Sequence, residues 1–195
     1  MTRRPSRSTR STTPDLVYQL KIVLRESQPP VWRRIQVPAA MPLNRLHRTL
    51  QVAMGWTDAH LHEFAIAGRR YREPHDEDDS PDIVNERTVT LRHVAPGERG
   101  QFSYLYDFGD GWEHEILIEQ ITAPEPGARY PVCLAGERHC PPEDCGGIPG
   151  YEEFLEAIRD SNHPQHTEML DWVGGRFDPD AFTPDGVNRA LRRVR

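Results

Sequence analysis

Apolar residues gather early in the chain into two short runs. "LVYQLKIVL" (residues 16–24) is dense in β-branched and aliphatic side chains and predicts a buried strand. After "RESQPP", the run "VWRRIQV" (31–37) predicts a second strand stopped by Pro38, and the two together suggest an antiparallel pair joined by a proline turn. The spacing then changes. Leu43, Leu46, Leu50, Ala53 and Met54 recur at helical intervals before Gly55, which predicts a helix with one buried face. Strand character returns in "HLHEFAIAGRRY" (60–71) and again in "RTVTLRHV" (87–94). The last third reads as helical: Tyr151, Phe154, Leu155 and Ile158 share a face, Met169, Trp172 and Val173 mark a second helix, and Val187, Ala190, Leu191 and Val194 a third. Thr183 followed by Pro184 supplies a cap and a first residue for that third helix. Strands first and helices last, with one helix near the start, predict an α+β fold: a mainly antiparallel sheet, an early helix and a C-terminal helical segment.

The stretch "FGDGWEHE" (108–115) lies between two alternating runs. Phe102, Tyr104, Tyr106 and Phe108 alternate before it, and Trp112, His114, Ile116 and Ile118 after it. A two-residue turn at Asp110-Gly111 would set aromatic residues against glutamates and pair Asp107 with His114. A three-residue loop, Gly109 to Gly111, pairs Phe108 with Trp112 and Tyr106 with His114, so that every apolar residue falls on one side. We therefore expect the odd-numbered loop and a His114 that packs in or at the rim of the core instead of acting as a base.

Charge redraws the ends of the chain. Four arginines lie in residues 1–13 and four in 189–195, so a total of −6 leaves −14 on residues 14–188. An acidic body repels phosphate backbones, and nucleic acid could be approached only through the tails. Residues 1–14 carry almost no apolar side chain and are expected to form a disordered basic tail, with residues 15–195 as one domain. The arginines near the N-terminus precede no apolar stretch and no run is long enough to span a bilayer, so we expect a cytoplasmic protein without membrane contact. The acidic "REPHDEDDSPD" (72–82) has no glycine turn of the kind calcium loops use and reads as a solvated loop.

"CLAGERHCPPEDCGG" (133–147) is the densest chemical cluster. Cys140 and Cys145 have the close spacing of a zinc half-site, which Cys133, His139 or a distant residue such as His114, His60 or His62 would have to complete. The plainer alternative is a stiff Pro141-Pro142 loop, a Gly146-Gly147 turn and three structural thiols. His60 and His62, two residues apart, would project from one face of a strand, where they could bind metal or simply line a strand end.

Taken in order, "YQLKIVL", "PPVWRRIQVP", "LNRLHRTLQVAMGW", "HLHEFAIAGRRY", "YLYDFGDGWEHEI", "CLAGERHCPPEDCGGIPGYEEFL" and "FDPDAF" resemble the plasmid ORF-three-like family, named for an open reading frame of a root-inducing plasmid and met also as a passenger of insertion elements. The resemblance covers nearly all of residues 15–182 and implies an α+β fold and an association with mobile elements, but no activity. The resolvase label attached to some members finds no counterpart here: Ser27, Ser80, Ser103 and Ser161, the serines beyond residue 13, sit in no arginine-rich pocket.

Three functions follow as expectations. The first is a non-enzymatic binding module that takes a peptide, protein or small ligand in a groove lined by Tyr104, Tyr106, Trp112 and His114, with Trp32 and Trp56 beside them. The second is a metal-supported hydrolase or nuclease using His114, Asp110, Glu113, Asp144 and the cysteines, with zinc as one candidate ion. The third is nucleic-acid binding through the arginine-rich tails. Carboxylates and histidines converging in a cleft would speak for an enzyme; scattered ones would speak for a module.

Overall fold

β1 (Val17–Leu24) alternates from Tyr18 onward, and Tyr18, Leu20, Ile22 and Leu24 turn one buried row toward the core. Its connection to β2 (Trp32–Pro38) is held by Ser27, whose hydroxyl donates to the Leu24 carbonyl and accepts from the Val31 amide. A computed structural model describes residues 15–74, 82–95 and 97–194. The predicted tail at 1–14 and most of the acidic loop, 75–81, lie outside the described residues.

The strands form one eight-stranded sheet in the order β5-β4-β3-β6-β7-β1-β2-β8. It comprises β3 (His62–Ile66), β4 (Arg69–Arg72), β5 (Ile83–Asn85), β6 (Gln101–Tyr106), β7 (Trp112–Thr122) and β8 (Val132–Glu137) with the first two. Every neighbouring pair is antiparallel except β4 and β5. α1 (Leu43–Met54) buries the predicted stripe and ends at Gly55, whose φ of 105° is the left-handed conformation that closes a helix. α3 (Gly147–Arg159), α4 (His166–Trp172) and α5 (Pro184–Leu191) follow the sheet, and the Thr183 hydroxyl accepts from the Gly186 amide as the expected cap. The α+β architecture is as the sequence pattern predicts, and none of the described helices is long and apolar enough to cross a membrane.

Two local expectations are corrected. The segment 87–94 is not a strand: a 3-10 turn covers Glu86–Thr88 and α2 covers Leu91–Val94. Asn85 caps the Arg87 amide, and the amides of Leu91 and Arg92 donate to the carbonyls of Met41 and Ala39, so this backbone is satisfied at the entrance to α1 and not at a sheet edge. The β6–β7 register also differs. Tyr106 pairs with Trp112, Tyr104 with His114 and Phe102 with Ile116, so the loop spans five residues, 107–111. The shift is by two positions, which preserves the face of every side chain within the strands. Phe108 is left out of the ladder and is 43% exposed.

Arg33 fastens the far side of the sheet. Its guanidinium is buried on the core face of β2 and donates to four carbonyls, those of Ala53, Trp32, Glu137 and Arg138, while stacking over Phe182. One charged group thereby ties the end of α1 to the end of β8, where the cysteine segment begins.

Candidate functional site

The hairpin tip, the turn after α1 and the cysteine loop meet at one place because glycines let them. At Gly147, φ is 69°, and a Cβ there would stand 2.4 Å from the Asp110 carbonyl oxygen, so only glycine allows the start of α3 to close on the hairpin tip. The Gly146 amide donates to the Asp110 carboxylate across the same contact. From the other side, the Trp56 indole donates to the Pro141 carbonyl, and Glu143 accepts from the Thr57 amide, the Thr57 hydroxyl and the Tyr106 hydroxyl. The Tyr106 hydroxyl in turn accepts from the amides of Ala59 and His60. Burial raises the Tyr106 pKa well above its ordinary value, so the phenol stays a donor to Glu143.

This framework brings His60, Asp107 and Asp144 together. One donor atom from each lies within 4.8 Å of the other two: His60 Nε2 is 3.2 Å from Asp144 Oδ1 and 3.7 Å from Asp107 Oδ2. The orientation is wrong for a hydrogen bond, and His60 Nε2 is buried without a hydrogen-bond partner. Asp107 divides its labour. Its Oδ1 accepts from the Gly109 amide and closes the turn, which leaves Oδ2 aimed at His60. Asp107 and Asp144 both hold left-handed backbone, with φ of 55° and 61°, a conformation that non-glycine residues adopt rarely and that concentrates at binding sites.

Ligand atoms bound at about 2.1 Å in tetrahedral or octahedral geometry stand roughly 3.0–3.5 Å apart, close to the two separations from His60 Nε2. One imidazole and two carboxylates suit Mn²⁺, Fe²⁺ or Zn²⁺, and three ligands leave coordination positions open.

His60 also lines a cavity of about 180 Å³, together with Asn44, His47 and Arg48 of α1, Asp58, His62, Glu73, Glu86 and Arg87. Within it the rings of His47 and His62 stack face to face, centroids 3.4 Å apart. His47 Nε2 is 2.6 Å from Asp58, and His62 Nε2 is 2.8 Å from the buried Glu86. The Tyr104 hydroxyl accepts from the Gln51 side-chain amide and lies 2.8 Å from His47 Nδ1, while His47 Nε2 faces Asp58. Burial, then its histidine neighbour, lower the His47 pKa to about 4, which favours the neutral imidazole.

The sequence profile of the plasmid pRiA4b ORF-3-like proteins matches residues 16–186. This chain belongs to that family. An uncharacterized protein of Sinorhizobium fredii, y4hQ, is 43% identical over 176 residues, covering 90% of each chain. The crystal structure of a protein of unknown function from Methanosarcina mazei Go1, MM3350, superposes with a TM-score of 0.81 at 37% identity, over 89% of this chain and 98% of that one.

In this member of the plasmid pRiA4b ORF-3-like family, the aromatic groove expected from the sequence is filled core. Tyr104, Tyr106, Trp112 and His114 are each 0% exposed, and Trp56 packs over Tyr106, Trp112 and His114. Trp56 thus covers the sheet face that a lone hairpin would leave open. The proposed zinc ligands do not gather either. Among the described residues the His60, Asp107 and Asp144 trio is the group whose donor atoms converge, and Cys133, Cys140, Cys145 and His139 form no such group. Cys133 and Cys140 are buried, the Cys133 thiol faces the Ala135 carbonyl, and His139 turns Nδ1 to the Cys140 carbonyl. Burial pushes all three thiols up, Cys145 to about 12.

Of the residues expected for a hydrolase, only Asp144 reaches the converged site. His114 is enclosed, Glu113 pairs with Arg25 at the surface, and Asp110 serves the glycine contact. His60 and His62 line the same cavity, but His60 precedes β3 and does not share a strand face with His62 as the sequence pattern suggested. Asp107 carried no sequence signal, because its role depends on the five-residue loop.

Proposed function

We propose that this protein is a binding module whose working part is a divalent-metal site at His60, Asp107 and Asp144, opening into the polar cavity beside α1. The observation that carries the reading is the buried, unpartnered Nε2 of His60 between two carboxylates. An imidazole nitrogen near two carboxylates but without a hydrogen bond is poorly compensated for its lost solvation, whereas a cation there would satisfy it and neutralise both aspartates. Asp107 Oδ1 acts behind the ligand atom by holding the carboxylate on its turn, as outer contacts commonly orient metal ligands.

A second reading, metal-supported hydrolysis, is favoured by the open coordination positions and by the neighbouring His62–Glu86 pair. An ion held by three protein groups activates water, and a histidine–carboxylate pair is a suitable proton acceptor.

The test is elemental analysis and calorimetric titration of the metal-stripped protein with Mn²⁺ and Zn²⁺, alongside His60→Ala and Asp144→Asn. One equivalent bound by the parent and lost in both variants supports the site. Binding that survives in both, or no binding to the parent, refutes it. Hydrolysis of bis-p-nitrophenyl phosphate or p-nitrophenyl acetate that requires the ion and Glu86 would raise the second reading above the first.

A further inference from the structure

α4 carries Met169, Leu170 and Trp172, yet none of its residues is buried, and Trp172 is 47% exposed. Between α4 and α3 lies an open groove of about 570 Å³, within the size range of pockets that hold small ligands and peptide anchors. Its floor is apolar: Phe154, Met169 and Trp172 line it, with the Phe154 and Trp172 rings edge to face at 5.9 Å. Its rim is acidic. Glu153, Glu168 and Asp171 border it, with Asp144 at one end, and none of its lining residues is lysine, arginine or histidine. Glu153, Glu168 and Asp171 are exposed and have no ion-pair partner among the described residues.

We propose that this groove docks an arginine-bearing segment of a partner protein, with an aliphatic or aromatic side chain of that segment on the floor and its guanidinium groups against the rim. Charge complementarity selects the occupant. An apolar floor alone would accept any hydrophobic segment, but three unpaired carboxylates around it disfavour an acidic one and attract a cationic one. The exposed Trp172 face favours arginine in particular, because a planar, weakly hydrated guanidinium stacks on indole and forks onto a carboxylate at the same time. The groove shares Asp144 with the metal site at its end, but the contacts proposed for Trp172, Glu168 and Asp171 need no bound ion.

The experiment uses the full chain and an immobilised hexapeptide library in which every member carries two arginines and one leucine, phenylalanine or tryptophan, against a matched library with glutamate for arginine. The expected result is capture by the arginine library alone, weakening as salt rises. The best peptide should lose about tenfold in affinity with Trp172→Ala and again with Glu168→Gln plus Asp171→Asn, while both variants still unfold cooperatively from a folded state. Equal capture by both libraries, or affinity indifferent to these variants, overturns the proposal. A dimer seen by sedimentation and abolished by Trp172→Ala would also overturn it, by giving the groove to a second copy of the chain.

Discussion

Gly147 stands so close to Asp110 that no other residue fits between them. A Cβ at position 147 would lie 2.4 Å from the Asp110 carbonyl oxygen, at a φ of 69° that side chains resist. Gly147→Ala should therefore destabilise the protein by at least about 2 kcal/mol, from strain and forced separation together. That corresponds to a fall in Tm of roughly 4–8 °C for a chain of this size. Gly109→Ala meets only Asp107 Oδ1 at 3.2 Å and has no left-handed φ, so its effect should be smaller. Thermal unfolding of the two variants side by side measures the difference.

The two oxygens of Asp107 can be separated by substitution. Asp107→Asn keeps a carbonyl oxygen for the Gly109 amide but removes the charge that faces His60. Its unfolding temperature without metal should match the parent, while affinity for Mn²⁺ drops about tenfold or more. Asp107→Ala should lose both. Equal metal affinity in the parent and Asp107→Asn would remove Asp107 from the ligand set.

His114 should make the fold acid-sensitive. Complete burial, with Arg33 adding repulsion, lowers its folded-state pKa from 6.5 to about 4. Above pH 6.5 the imidazole is neutral in both states and contributes no pH dependence. Between 6.5 and about 4 the unfolded chain takes up a proton that the folded chain refuses, so stability is lost as pH falls through that window. The loss is on the order of 3 kcal/mol. His114→Asn retains a donor for the Tyr104 carbonyl and cannot titrate. Urea unfolding across this range should show a shallower pH slope for the variant; an unchanged slope would contradict the assignment.

Arg33 should be irreplaceable by lysine. Four carbonyls receive its N–H groups, and burial lowers its pKa from the ordinary arginine value. Lysine offers a single ammonium that cannot fork to four acceptors on three segments. Arg33→Lys should cost about 3 kcal/mol or more, and the amides around Glu137 and Arg138 should lose hydrogen-exchange protection first.

Much of the architecture is written in local periodicity. Alternation in 17–24 and 32–38 and the helical stripe of 43–54 each bury a row of apolar side chains in only one way, so these elements appear where the pattern puts them. Thr183 and Pro184 likewise start α5 as their backbone preferences dictate. The pattern of 87–94 misled because alternation predicts a strand only when a sheet edge is available to pair with it, and here the carbonyls of Ala39 and Met41 take those amides.

The site itself belongs to the tertiary structure. The sequence by itself determined the α+β class, the buried face of each main strand, and the presence of His60 and His62 on one short segment. It could not decide that Tyr104, Tyr106, Trp112 and His114 would be covered, because burial of a sheet face depends on what packs over it, here Trp56 among others. Nor could it bring Asp107 and Asp144 to His60. Those residues are separated by 47, 37 and 84 positions, and they meet only because a five-residue hairpin loop, a proline-stiffened cysteine loop and Gly147 allow three backbones to close on one point.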